Sequence, residues 1–367
     1  MALDTGSSDT VVYSKNCTTC SLNNHTAFDT TKSRTYESTK IPFSTAYGDG
    51  TQMTGKLGYD TVHFTSALHA EKQILALITA KKSGKSASRW DGILGIGPDQ
   101  LSFVEGNVTP LSNLVKNRKL EKPLVGVALV KEDKVKKTPG GGEYRWGGIN
   151  PSYVAGGESG IVYSNVTSTY YWGVDMAEIF YGPMIPLMAS KDPRRCIVDT
   201  ATTLIYTSDA ACSALHKQIR GAHRNAKDGA WYVPCAMGSF QDIFVEIGGR
   251  KWGIPKEDLA FRPSGKNDGF CVSGIQGGSS QYTILGDIFI KNHCESSRPR
   301  PLPASLSRFP VCFLADFVPS CPSRYPRPRL QLRIDIELSS LHRNRRPDRC
   351  TTDDQHPAQP ATTLTYE

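Results

Sequence analysis

Two acidic stretches, Asp4-Thr5-Gly6-Ser7-Ser8 and Asp199-Thr200-Ala201-Thr202-Thr203, lie 195 residues apart and share one pattern. Each sets a carboxylate beside a threonine, then a small residue, then hydroxyls, and each runs on into β-prone apolar sequence. A lone Asp-Thr-Gly is usually only a turn. Here Asp4 is followed after 89 residues by Ile93-Leu94-Gly95, and Asp199 after 85 residues by Ile284-Leu285-Gly286. Two paired signals at nearly matched spacing indicate a duplicated unit. One carboxylate from each half suits a particular chemistry: two acids held about 3 Å apart cannot both ionise, so they share a proton. The ionised member takes a proton from water while the protonated member donates to a carbonyl oxygen, and no covalent intermediate is needed. Two equivalent halves supply the near-symmetry this requires.

The elements that must carry these loops read as strands. At 367 residues the chain is long enough for two lobes, each with its own core. Its 33 Gly and 23 Pro, with 15 Tyr, 13 Phe and few long amphipathic runs, predict short strands joined by turns, an all-β protein. Segments 9–13, 41–47, 59–64, 73–79 and 124–130 are rich in Val, Ile, Leu, Tyr, Phe and Thr, and 170–181, 196–207, 241–255 and 282–290 repeat the style. Segment 138–152 has the turn chemistry of a hairpin. Helices are expected only at 208–222, capped by Ser208 or Asp209 and ended by Gly221, and at 110–120. The division expected is an N-terminal β lobe over 1–163, a C-terminal β lobe over 164–293, and a tail over 294–367.

Charge and cysteines narrow the function classes. The tail holds 11 Arg, no Lys, eight acidic residues and 11 of the 23 Pro, and so carries three of the eight net positive charges. It could be a basic nucleic-acid arm, a Pro-broken segment that buries too little apolar surface to fold, or translation outside the ancestral frame. The second reading is the simplest, so the tail is expected to be disordered and no nucleic-acid partner is expected. No run approaches about 18 continuous apolar residues, so no bilayer span is expected. No signal peptide is visible in the chain as given, yet Asn16, Asn24, Asn107 and Asn165 each begin an Asn-x-Ser/Thr acceptor that would suit surface loops of a secreted protein. Cys17 and Cys20 have metal-like spacing, but no second such pair exists. Ser83-Gly84-Lys85-Ser86 lacks the glycine a phosphate loop needs, since position 79 is Thr79, and is read as a solvated loop. The eight His are scattered and His-Glu-x-x-His is absent, so neither metal nor cofactor is expected.

Residues 4–8, 47–55 (Tyr-Gly-Asp-Gly-Thr-Gln-Met-Thr-Gly), 91–97 (Asp-Gly-Ile-Leu-Gly-Ile-Gly), 197–203 and 284–289 (Ile-Leu-Gly-Asp-Ile-Phe) resemble, in order, the motifs of pepsin-type aspartic endopeptidases, most of all the fungal ones. The resemblance runs from about residue 3 to about residue 293. It implies a bilobal β fold with a substrate cleft, and Asp4 and Asp199 as the catalytic dyad. Ser7 and Thr202 would bond the outer carboxylate oxygens, Thr5 and Thr200 would tie the two loops together, and Gly6 and Ala201 would complete the supporting loops. Segment 46–55 would be a flap, with Tyr47, Gly48 and Asp49 touching substrate; Gly48, Gly50 and Gly55 are expected to permit its turn. The resemblance also implies disulfides Cys17-Cys20 and Cys235-Cys271, a monomer, and a secreted or vacuolar setting. Cys196 and Cys212 are expected to be buried free thiols, and Asp287 to be structural.

The chain also departs from this pattern. It starts two residues before Leu3, where the family has preceding strands, and its tail replaces the family's closing strands, so a truncated start and a divergent end are expected. Ala201 stands where Gly is usual, which sets a Cβ beside the dyad. Val11 stands where an aromatic residue commonly supports the flap tyrosine. The function expected is therefore an aspartic endopeptidase acting on extended polypeptide, bulky apolar residues preferred beside the scissile bond; the alternative is a catalytically impaired homologue that at most binds peptide.

Overall fold

The computed structural model describes residues 1–20, 25–82, 90–131, 141–154, 161–266, 268–279 and 281–297, with two further segments at 308–311 and 362–366. Asn24, the 83–86 loop and the rest of the tail lie outside the described residues. The first half is a six-stranded sheet of β1 (Ala2–Asp4), β2 (Thr10–Tyr13), β3 (Glu37–Ala46), β4 (Gln52–His63), β5 (His69–Lys82) and β6 (Gly92–Gly95), in the order β1-β6-β2-β5-β4-β3. The chain continues through α1 (Pro110–Lys116), β7 (Val125–Val130), β8 (Gly141–Trp146) and β9 (Val162–Asn165).

The second half contains β10 (Gly173–Tyr181), β11 (Ile185–Pro186), β12 (Arg195–Val198), β13 (Ile205–Tyr206), α2 (Asp209–Lys217), β14 (His223–Arg224), β15 (Trp231–Pro234), β16 (Ile243–Ile247), β17 (Arg250–Ile254), β18 (Ala260–Pro263), β19 (Phe270–Ser273), β20 (Ile275–Gln276), β21 (Thr283–Leu285) and α3 (Asp287–Ile290). Its main sheet runs β17-β16-β10-β12-β21-β13-β20. The three described stretches of the tail, β22 (Cys294–Ser297), β23 (Arg308–Val311) and β24 (Thr362–Tyr366), pair antiparallel with β7, β9 and β8.

The duplication is visible in the pairing. In the first half β1 lies parallel to β6, with Asp4 opposite Gly95, and β2 returns antiparallel on the other side of β6. In the second half β12 lies parallel to β21, with Val198 opposite Leu285, and β13 returns antiparallel beside β21. Each acidic loop therefore arches over the end of an Ile-Leu-Gly strand. The glycines are there for space. A Cβ on Gly286 would lie 2.1 Å from the Thr202 carbonyl oxygen, and one on Gly95 would lie 2.6 Å from the Asp9 nitrogen.

The largest apolar cluster takes residues from both halves, among them Leu3, Leu94, Ile96, Trp172, Val198, Leu285 and Phe289. Within it the Trp172 indole N–H donates to the Ile96 carbonyl at 2.9 Å, which satisfies the one polar atom the ring brings in. The fold is all-β with two sheet-built halves.

Four local expectations change. Gly55 does not serve the flap turn: it lies within β4 at a register shift, where a Cβ would come 2.1 Å from the Leu77 carbonyl oxygen. The 208–222 helix ends earlier than expected. Ser208 caps it, accepting from the Ala211 N–H at 3.0 Å, but Gln218 is its C-cap and Gly221 (φ 89°) turns the chain beyond it. Segment 282–290 is a three-residue strand and then the short helix α3, because the chain turns at Gly286. Asn107 is not a surface acceptor: it is 5% exposed, and its amide donates at 3.0 Å to both the Ser8 carbonyl and the Ser102 hydroxyl. Asn16 and Asn165 are exposed.

Candidate active site

Asp4 ends β1 and Asp199 follows β12, its N–H donating to the Leu285 carbonyl at 3.0 Å so that the ladder runs one residue past the strand. The same bonds then form around each carboxyl. The Gly6 N–H donates to Asp4 Oδ1 at 2.8 Å and the Ser7 hydroxyl to Asp4 Oδ2 at 2.5 Å. The Ala201 N–H donates to Asp199 Oδ1 at 2.9 Å and the Thr202 hydroxyl to Asp199 Oδ2 at 2.5 Å.

The two loops are tied together beneath the acids. The Thr5 and Thr200 backbone N–H groups each donate to the other's Oγ1, and the hydroxyls donate onward, Thr5 to the Val198 carbonyl at 2.8 Å and Thr200 to the Leu3 carbonyl at 2.6 Å. A Cβ added to Gly6 would fall 2.6 Å from Asp199 Cγ and 2.7 Å from each Asp199 carboxylate oxygen. The second carboxyl therefore lies over the first loop, next to the residue that binds the first carboxyl.

Asp4 is 4% exposed. Burial, and then the charge of Asp199, raise its carboxyl well above the usual range, while the Ser7 hydroxyl and Gly6 N–H act in the opposite direction. The geometry and the field thus favour a pair that holds one proton.

Tyr47, Tyr171 and Asp287 each feel the charge of the pair. Tyr47 follows β3 in the turn to β4, where its N–H donates to the Thr51 carbonyl at 2.9 Å and its carbonyl accepts from the Gly50 N–H at 2.9 Å. Gly50 takes φ 88°, the left-handed conformation this turn needs. Gly48 and Asp49 are exposed at the tip, and the Asp49 carboxylate accepts from the Thr51 N–H at 2.8 Å and the Thr51 hydroxyl at 2.9 Å. The Tyr47 ring packs against the cluster of Val11, Tyr13, Phe43 and Met53; burial first, then Asp4 and Asp9, raise its phenol. On the other side Tyr171 contacts Tyr282, ring centroids 5.5 Å apart, and its phenol is raised by burial, then Tyr282, Asp199 and Asp4.

Sequence reasoning missed Tyr171 and Tyr282. The usable signals were the aromatic run 170–172 and a tyrosine directly before the second Ile-Leu-Gly strand. Asp287 also takes on more weight. Its N–H donates to the Thr202 carbonyl at 2.8 Å, and burial, then Asp199, push its carboxyl up to about 7 against the pull of Lys291.

Both expected disulfides are formed, Cys17-Cys20 with Cα atoms 5.6 Å apart and Cys235-Cys271 with Cα atoms 5.0 Å apart; Cys196 and Cys212 are buried free thiols. Among the described residues no group of three or more His, Cys, Asp or Glu could hold a metal, and no helix is long and apolar enough to cross a membrane.

The chain is similar to curated proteins over most of its length. It is 34% identical to rhizopuspepsin-4 of Rhizopus niveus over 290 residues, 79% of this chain and 69% of that one. It is 33% identical to syncephapepsin of Syncephalastrum racemosum over 290 residues, again 79% and 69%. Against pepsin A of Canis lupus familiaris it is 31% identical over 297 residues, 79% of this chain and 72% of the other. The model of the eukaryotic aspartyl protease family matches residues 1–295, a span that includes both acidic loops and both Ile-Leu-Gly strands. On that match the chain belongs to the family of eukaryotic aspartyl proteases.

Proposed function

We propose that the chain is an endopeptidase in which Asp4 and Asp199 share a proton and activate water against the amide of an extended polypeptide. The observation that carries this reading is the matched cage: each carboxyl accepts one backbone N–H at its inner oxygen and one hydroxyl at its outer oxygen. In the reaction the ionised carboxyl removes a proton from water as its oxygen bonds the carbonyl carbon, and the protonated carboxyl gives its proton to the carbonyl oxygen. Collapse of the resulting diol breaks the C–N bond, with a proton passing to the leaving nitrogen. The dyad ends with one proton, as it began. Its backbone and hydroxyl donors are set before substrate arrives, so little reorganisation is needed as charge develops.

The flap carrying Tyr47, Gly48 and Asp49 supplies contacts to the bound peptide and excludes water when it closes. Bulky apolar residues beside the scissile bond are the preferred substrates. The lobes span 1–163 and 164–293, and the molecule acts as a secreted or vacuolar monomer, with Asn16 and Asn165 the exposed glycan acceptors. The test is hydrolysis of denatured haemoglobin or casein at about pH 4, with and without a statine-type inhibitor. Inhibitor-sensitive cleavage lost in Asp4→Asn is expected. No cleavage by a folded, monodisperse sample would overturn the reading.

A further inference from the structure

A surface cavity of about 610 Å³, lined in part by Asp175, Arg194, Arg195, Gly248 and Gln281, opens beside the elements that carry the site. Arg195 is the first residue of β12, the strand that delivers Asp199. Alternate residues of a strand project to one face, so 195, 197 and 199 share a side, the backbone ladder continuing through the Asp199 N–H. Another wall is formed by Gln281, next to Tyr282, and Tyr282 contacts Tyr171 beside the acid pair. Cavity and acid pair are therefore joined along one strand, at a separation of about 13 Å for four residues, the reach of about four residues of extended peptide.

The two arginines in the wall differ. The Arg194 guanidinium is committed, donating to the Ala177 carbonyl and to Glu178 Oε2 at 3.2 Å. Arg195 is exposed and, among the described residues, is in no ion pair or side-chain hydrogen bond. Its opposite number in the β10–β12 ladder is Asp175, a carboxylate in the same cavity, yet no ion pair joins them. Arg195 thus keeps its planar fork of donors available, and that fork matches a carboxylate in bidentate geometry.

We propose that this cavity is an outer substrate subsite in which Arg195 receives a carboxylate of the bound polypeptide, from a Glu or Asp side chain or from the chain's own C-terminus. The proposal rests on the reading of the chain as a peptidase. Asp175 sets its strength: as the nearby like charge it opposes the incoming carboxylate, so its removal tightens the subsite.

The test uses the full chain and a set of quenched fluorogenic peptides with one apolar scissile pair. The peptides carry Glu, Gln or Lys about four residues to either side of that pair, with amidated C-termini, and one further peptide ends there in a free carboxylate. For one of the two sides, the Glu peptide is expected to show a KM about fivefold below that of the Gln peptide at equal kcat. Arg195→Ala should abolish that preference without changing turnover of the Gln peptide, and Asp175→Asn should enlarge it. Comparison of the Glu and free-carboxylate peptides assigns the source of the carboxylate.

Equal KM for Glu, Gln and Lys peptides on both sides, or a preference that survives Arg195→Ala, would overturn the subsite. If the wild-type chain cleaves none of the peptides, the peptidase reading fails separately. Binding of the same peptides by fluorescence anisotropy then decides this one: Arg195-dependent selection of Glu over Gln supports it, and equal binding removes it.

Discussion

Thr5 and Thr200 hold each other reciprocally: the Thr5 N–H lies 3.1 Å from Thr200 Oγ1, and the Thr200 N–H lies 3.0 Å from Thr5 Oγ1. Each hydroxyl accepts from the opposite loop and donates to the strand that leads into it. A near-isosteric Thr200→Val removes the hydroxyl and strands the Thr5 N–H and the Leu3 carbonyl, which Thr200 now satisfies. Leaving buried polar groups unpaired costs about 1–3 kcal/mol each, so a loss of roughly 2–6 kcal/mol is expected, against less than about 1 kcal/mol for Thr200→Ser. Urea unfolding of the three proteins checks this. A Val variant as stable as the Ser variant would show that the reciprocal pair contributes nothing.

Gly6 makes a sharper demand. The space its Cβ would fill is already taken by the Asp199 carboxyl, at 2.6–2.7 Å, well inside van der Waals contact. Gly6→Ala must move that carboxyl, or the loop, by close to an ångström. Misplacement on that scale costs on the order of 10² in rate. The expected variant is folded, with near-wild-type unfolding, and has a kcat lowered about 100-fold. Unimpaired kcat in a folded Gly6→Ala chain would mean that the carboxyl has room to spare.

This contrast bears on what could be read from the residues alone. The two Asp-Thr repeats and their Ile-Leu-Gly partners were legible because duplicated chemistry leaves a duplicated pattern, and because glycines at close approaches cannot be exchanged. Gly55 was misassigned for the same reason seen in reverse: a flap glycine and a glycine under a neighbouring strand look alike until the Leu77 carbonyl is in place. Asn107 looked like a surface acceptor, since only the fold brings Ser8 and Ser102 to its amide. Tyr171 and Tyr282 each carried a local signal, but their meeting beside the acid pair, like the Arg195 cavity, depends on segments distant in sequence coming together in the fold.

On the proposed mechanism, the acid pair and Asp287 set the upper pH limit of activity. Asp4 and Asp287 both titrate above their ordinary range because they are buried near Asp199, Asp287 at about 7. A carboxyl raised in the folded state binds a proton the unfolded chain would release. Stability therefore falls as pH rises from the ordinary carboxylate range through the raised value, and activity falls as the shared proton leaves. Ionised Asp287 helps the pair to retain its proton. Asp287→Asn is expected to move the falling limb of the kcat/KM profile to lower pH by up to about one unit, and to flatten the loss of stability between about pH 4 and pH 7. Superimposable pH-rate profiles would exclude any electrostatic link between Asp287 and the pair.

His216 opposes this from the acid side. It is 2% exposed on α2, its ring stacked on Trp231 at 4.4 Å, with Nδ1 2.7 Å from the Cys212 carbonyl and Nε2 2.9 Å from Ser273 Oγ. Burial lowers its pKa from 6.5 to about 4, against the opposing pull of the Cys212 carbonyl. Between those values the unfolded chain binds a proton that the folded chain does not, so stability drops as pH falls from 6.5 toward 4, by up to about 3 kcal/mol. The second half thus carries a group that acid turns against it, and the neighbouring Cys212 thiol, raised to about 12 by burial, offers no compensating charge. His216→Gln retains an amide for Ser273 but cannot titrate. It should be less stable than wild type at pH 7 by about 1–2 kcal/mol through lost packing and hydrogen bonding, with the gap closing or reversing at about pH 4. Urea midpoints measured every half unit across that range decide it: parallel curves for the two proteins would show that His216 is not the group that admits acid into the second half.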